Sequence, residues 1–300
     1  MPEKHPPYQR IAIVFHPTYE EARALAVEVE DFLTEKGIQD VCLYSIEHDE
    51  TPPCLSDQPL DLVISVGGDG TMLRTSHFCG PQQLPLIGIN CGRLGFLTEL
   101  TRENWREKFE SLFNGQEQVR TEERMMLHGV HAREGEVLNE WDVLNDLVVV
   151  RGRFVRPITL SVSVNQTPIV GYVADGLIIA SPTGSTAYAM AVGGPILLPE
   201  MRNMIVIPIS PHFSIDRAFV LTDQDTVVIR LDTDHEAVIS PDGKKSVMVL
   251  NGDTLTVSAS EYSVKFIRFS NKRSFYQNLV QYLEKNPIAL KMNETTTQQD

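Results

Sequence analysis

The stretch Gly67-Gly68-Asp69-Gly70-Thr71 crowds three glycines around one carboxylate at the end of the apolar run Leu62 to Val66. Glycines after a strand let a ligand approach the backbone, and the N–H groups of a helix starting near Thr71 would face the same space, so the turn suits phosphate. A carboxylate repels phosphate. Asp69 therefore reads as a metal ligand or as the acceptor of a hydroxyl proton during phosphoryl transfer. The competing reading is a plain βα turn, with Asp69 hydrogen-bonded to its own loop. Arg74, one helical turn past Thr71, faces either a phosphate or solvent.

A second stretch, residues 174–197, reads A-D-G-L-I-I-A-S-P-T-G-S-T-A-Y-A-M-A-V-G-G-P-I-L. It predicts a strand from Asp175-Gly176, a loop of small and hydroxyl residues, then a short helix. Ser185, Thr186 and Tyr188 offer hydroxyls as donors and acceptors, and the small residues leave space for a flat polar ring.

The elements that must position these residues fall into two rhythms. Ile11–Phe15, Val41–Tyr44, Leu62–Val66 and Leu86–Asn90 are short apolar runs alternating with helical patterns, which indicates an open, mostly parallel sheet with crossover helices. The first helix carries Ala22, Leu25, Ala26, Val29, Phe32 and Leu33 at helical spacing, with a capping-box pair at Thr18 and Glu21 and a stop at Gly37. A last helix is expected over 102–114. From about residue 124, β-type runs at 147–150, 158–164, 176–180, 205–209, 226–231, 247–250 and 263–269 indicate an antiparallel, sandwich-like domain. The expected organisation is an α/β domain over 1–123, a β-rich domain over 124–270, a C-terminal helix over 271–293 packing back on the first domain, and a disordered tail over 294–300.

Composition sets the bounds. Apolar residues make up 42% and charged ones 22%, which is globular, and a net charge of -14 argues against a nucleic-acid partner. Anionic ligands must then be held by local groups. The four cysteines show no zinc or disulfide pattern and read as buried or idle thiols; with no apolar leader or spanning run, a cytoplasmic location without membrane partners is expected.

The turn at 67–71 resembles a motif shared by NAD kinases, diacylglycerol- and sphingosine-type lipid kinases and, more loosely, phosphofructokinases. Residues 88–99, G-I-N-C-G-R-L-G-F-L-T-E, resemble the segment that follows in NAD kinases; Phe96 there lies against a purine or belongs to the core. Residues 174–197 are similar to the second NAD kinase signature and are not expected in lipid kinases, so they decide between the two. V-L-N-D-L-V-V-V over 143–150 resembles the family's Asn-acid pair before a strand. Departures are Asp146, where many relatives carry Glu, the segment 209–219, which follows the pattern only at Pro211, His212 and Arg217, and Lys244, where glutamine is frequent.

The bacterial-type NAD kinase resemblance implies transfer of the γ-phosphoryl group of ATP to the 2′-hydroxyl of the adenosine ribose of NAD, giving NADP and ADP, with Mg²⁺ accompanying ATP. Asp69 is the implied catalytic group, and Gly67, Gly68 and Gly70 admit phosphates. Arg74, Phe96, Asn145, Asp146, Asp175, Thr183, Ser185, Thr186, Ala187, Tyr188, Ala189, Met190 and Ala191 are the implied nucleotide contacts. Arg156 meets a phosphate, a neighbouring subunit's ligand or solvent. A homo-oligomer, dimer or tetramer, is implied, with a neighbour completing the site. A soluble lipid kinase and a silent dinucleotide sensor are the rivals, separable by a lipid acceptor and by binding without ADP formation.

Overall fold

The computed structural model describes residues 8–46, 59–92, 95–116, 119–153, 155–212 and 215–269, with 275, 276, 279 and 280 beyond. It divides into two compact units, Met1–Glu122 with Lys265–Asp300, and Glu123–Val264. In chain order the elements begin β1 (Arg10–Phe15), α1 (Glu20–Glu35), β2 (Asp40–Ser45), β3 (Leu62–Gly67), α2 (Asp69–Gln82), β4 (Pro85–Asn90), β5 (Leu100–Thr101) and α3 (Trp105–Phe113). They continue β6 (Arg120–Arg133), β7 (Glu136–Val143), β8 (Asp146–Arg151), β9 (Ile158–Val164), β10 (Thr167–Ala174), β11 (Gly176–Ala180) and α4 (Tyr188–Ala191). The chain then forms β12 (Asn203–Ile209), β13 (Phe219–Thr222), β14 (Val227–Leu231), β15 (Ala237–Pro241), β16 (Val247–Val249) and β17 (Thr254–Arg268).

In the first unit β2, β1, β3 and β4 lie side by side, all parallel, and Lys265 and Phe266 at the end of β17 pair in parallel with β4. Apart from half-buried Arg10 and buried Ser65, β1 and β3 are apolar and buried, as expected of strands in a parallel sheet covered on both faces. The apolar stripe of α1 is buried as its spacing predicts, and Gly37, at φ 85°, ends the helix. The capping box does not form. Tyr19 is the N-cap, and the Thr18 hydroxyl lies 3.1 Å from His16 Nδ1 instead. Cys42 on β2 is disulfide-bonded, which corrects the idle-thiol reading for that residue, while Cys79 and Cys91 are free thiols.

The second unit has two antiparallel layers. One runs β10-β9-β14 with the first part of β17; the other runs β13-β12-β11-β8-β15-β16. Leu147, Val149, Leu177 and Ile179 from one layer and Leu160, Val162, Ile229 and Leu255 from the other share one buried core. The hairpin β6–β7 was not legible: Glu136, Val137, Leu138 and Asn139 do not alternate in polarity. Its turn rests on Glu134 and Gly135, both at positive φ. Among the described residues no helix is long and apolar enough to cross a membrane. The C-terminal helix and tail expected over 271–300 lie almost wholly outside the described residues.

Candidate functional site

The β3–α2 turn shows how a short sequence presents one carboxylate. Helix α2 begins at Asp69, with Gly68 as an extended N-cap, two residues earlier than the sequence suggested. Thr71 is therefore no cap; it is buried inside the first turn, with its hydroxyl where a Cβ on Gly67 would stand, 2.3 Å away. Gly67 is thus needed so that Thr71 can close the turn. Around Gly68 and Gly70 an added Cβ would meet nothing within 4 Å, so the surface above the helix start is open.

Asp69 is half-buried and does not cap its own helix. Its two carboxylate oxygens accept the backbone N–H groups of Phe96, at 2.8 Å, and Leu97, at 3.0 Å, 27 and 28 residues later in the chain. The own-loop reading of Asp69 is thereby overturned. Gly95 makes this grip possible, because a Cβ there would stand 2.1 Å from Asp69 Oδ1. Asn90 knots the same segment, accepting from Gly92 N–H at 2.6 Å and donating to Thr98 Oγ1 at 2.8 Å. Phe96 itself is half-buried and Arg74 exposed. The charge of Arg74 is close enough to His16 to lower the imidazole's affinity for a proton, behind the larger effect of burial.

In the second unit a cavity of about 390 Å³ opens beside the start of β8, lined among others by Asn145, Asp146, Ala187, Tyr188, Asp242 and Gly243. That is the size of an ordinary small-ligand pocket. Three loops meet there. The buried carboxylate of Asp242 accepts N–H groups from Leu144 and Asn145, both at 2.7 Å, and from Asp146 at 2.9 Å. Ser181 Oγ donates to the Leu144 carbonyl, and the Asn145 carbonyl accepts from Ser181 N–H at 2.8 Å. Gly184 passes so close that a Cβ would stand 2.1 Å from the Asn145 carbonyl oxygen. Burial first, and Asp242 beside it second, push the Asp146 carboxyl up to about 7. Near neutrality it can thus both donate and accept a hydrogen bond.

Two family models match the chain: "ATP-NAD kinase N-terminal domain" over residues 45–117 and "ATP-NAD kinase C-terminal domain" over 144–269. An NAD kinase of Dehalococcoides mccartyi is 35% identical over 93% of this chain and 97% of its own length. The chain belongs to the NAD kinase family. An NAD kinase of Chloroflexus aurantiacus is 31% identical over 93% of this chain and 99% of its own. A crystal structure of an NAD kinase from Archaeoglobus fulgidus in complex with ATP superposes with a TM-score of 0.68 at 27% identity, covering 89% of this chain and 96% of that one. Yeast NADH kinase, solved with NADH, shares the fold with a TM-score of 0.82 at 20% identity, over 95% of this chain and 89% of that one. The reaction of this chain is the phosphorylation of NAD by ATP to NADP.

The residues that the family resemblance implied are not all brought together. Asn145, Asp146, Ala187 and Tyr188 line the one cavity. Ser185 is fully buried, donating to the Pro182 carbonyl at 2.6 Å and accepting Leu197 N–H at 3.0 Å. Ala189 is packed in an apolar cluster with Ile178 and Ile205, and Thr186 donates back to the Thr183 carbonyl. Thr183 Oγ1 is buried with no hydrogen-bond partner among the described residues. Met190 is half-buried and Ala191 exposed on α4.

Asp175 lies at the far end of β11, because Gly176 pairs with Val150 while Ala180 pairs with Asp146. That separates it from Asn145 by roughly 20 Å along the strand. There Asp175 accepts from Arg151 Nε at 2.9 Å. The exposed Arg156 follows that same end of β8. The residues that shape the Asn145 loop and that sequence reasoning left out of the site are Asp242, Ser181 and Gly184, whose signals were the P-D-G turn and the first residues of the S-P-T-G loop.

Proposed function

We propose that Asp69 receives the proton of the adenosine-ribose 2′-hydroxyl of NAD as that oxygen bonds to the γ-phosphorus of ATP and the bond to ADP breaks. The observation that carries this is the Asp69 carboxylate, half-exposed and held by two backbone N–H groups beside open glycine backbone. A fixed carboxylate suits a reaction whose transition state is loose, where alignment and charge neutralisation supply most of the acceleration. Gly67, Gly68 and Gly70 would admit the phosphates, Arg74 would face them, and Phe96 would lie along the adenine. Asn145, Asp146, Ala187 and Tyr188 would hold NAD through ribose hydroxyls and ring edges.

Mg²⁺ bound with ATP would offset the charge of the phosphate oxygens. Among the described residues no cluster of three His, Cys, Asp or Glu could hold a metal. Were Asp69 to hold such an ion together with the phosphates, as the alternative to taking up the proton, it would supply a single carboxylate ligand, as Mg²⁺ sites commonly do. Asp175 and Arg156, at the opposite end of β11 and β8 from Asn145, would act on a nucleotide held by another copy of the chain, in a homo-oligomer.

The test is Asp69→Asn in a coupled assay of NADP formation. Turnover should fall at least about a hundredfold while calorimetry still detects NAD. Near-normal turnover would remove Asp69 from the proton transfer.

A further inference from the structure

Asp69 is held by a segment that is itself held. The carbonyl of Leu97, whose N–H grips Asp69, accepts Arg268 Nη1 at 2.8 Å. Arg268 ends β17 and is buried, with its guanidinium 4.8 Å from the centre of the Phe266 ring. Its Nε and Nη2 both point at Glu122 Oε1, at 3.2 and 3.1 Å, and the other oxygen of Glu122 accepts Arg120 Nη2 at 2.7 Å. Two residues past Leu97, Glu99 Oε2 accepts Phe269 N–H at 3.1 Å. The loop that grips Asp69 is thus tied at 97 to the last residue of β17 and at 99 to the residue just after it.

We infer that Arg268, braced by Glu122, is a positioning residue for phosphoryl transfer: it fixes the peptide at Leu97 and, through residues 95–97, the Asp69 carboxylate. The inference rests on the assignment of Asp69 to the proton transfer. Its physical basis is the guanidinium plane, which presents one edge to Glu122 and another donor to the Leu97 carbonyl at once. A lysine ammonium on a flexible stem can keep the ion pair but does not hold both directions rigidly. Displacing a catalytic group by about 1 Å can cost on the order of a hundredfold in rate.

The experiment compares Arg268→Lys in the wild-type and the Asp69→Asn backgrounds. In the wild type the substitution should lower kcat about 10- to 100-fold and leave KM for NAD within about twofold. In the Asp69→Asn enzyme, assayed at high enzyme concentration, it should change the residual turnover by less than about twofold, since the group being aligned is gone. An unchanged kcat in the single variant, or the same fold-loss in both backgrounds, overturns the inference and leaves Asp69 in place. Near-normal turnover of Asp69→Asn alone overturns the Asp69 assignment, and the inference with it. If Arg268→Lys does not fold, Glu122→Gln, which keeps the shape and removes the brace's charge, is read by the same criteria.

Discussion

Asp69 in the first unit and Asp242 in the second use one device to different ends. Each is a carboxylate accepting backbone N–H groups from a loop distant in sequence, Phe96 and Leu97 for Asp69, Leu144 to Asp146 for Asp242. Asp69 is half-exposed beside glycines with empty space around them, whereas Asp242 is 7% exposed and takes three N–H groups. The open one is presented; the closed one is a staple. Hydrogen bonding alone therefore does not separate the role proposed for Asp69 from that of a staple; what differs is exposure, since Asp242 is buried even though it borders the cavity of the second unit.

The contrast can be broken most severely at Gly95. Gly95→Ala places a methyl group 2.1 Å from Asp69 Oδ1, so the carboxylate must leave its donors even though it is still present. Turnover should then fall about as far as in Asp69→Asn, on the order of a hundredfold or more, in the same NADP assay. A mild loss would show that the grip of residues 96 and 97 is dispensable.

Asp242→Asn tests the staple. It replaces one acceptor oxygen with a donor aimed at buried N–H groups, which should lower stability by about 2–4 kcal/mol in urea unfolding. KM for NAD should rise about tenfold with kcat at saturation nearly kept, because the Asn145–Asp146 loop loosens while Asp69 is untouched. Loss of kcat with KM unchanged would instead place Asp242 in the chemistry.

The last expected effect is read in stability alone, as a pH dependence at Asp146. Its carboxyl, raised from 3.8 to about 7 by burial and by Asp242, keeps its proton in the native state at pH values where the unfolded chain has lost it. Proton binding favours the native state throughout that window. Stability relative to Asp146→Asn should accordingly fall as pH rises from 3.8 to about 7, by up to ~1.4 kcal/mol per pH unit, and level off above. Urea midpoints of the two proteins measured at intervals from about pH 4 to about pH 8 check it; parallel curves would mean that Asp146 is ionised throughout.

Some of this was legible because it is local. The apolar residues of α1 are those that helical spacing selects, and β9 and β11 have the bounds their apolar runs suggest. Periodicity and turn chemistry act over a few residues, and a single chain displays them directly. The two signature stretches likewise pointed to the family that the comparisons show.

What only the tertiary structure decided was which groups face one another. The partners of Asp69 lie 27 and 28 residues away and those of Asp242 96 to 98, separations for which no local spacing exists. Ser185 and Tyr188 are both hydroxyl residues of one loop, yet packing buries the first in its own backbone and leaves the second at the cavity. Asn145 and Asp175 were sent to opposite ends of β8 and β11 by antiparallel register. Composition determines what a residue can do; register and close packing determine what it meets, because both are set by contacts between segments far apart in the chain.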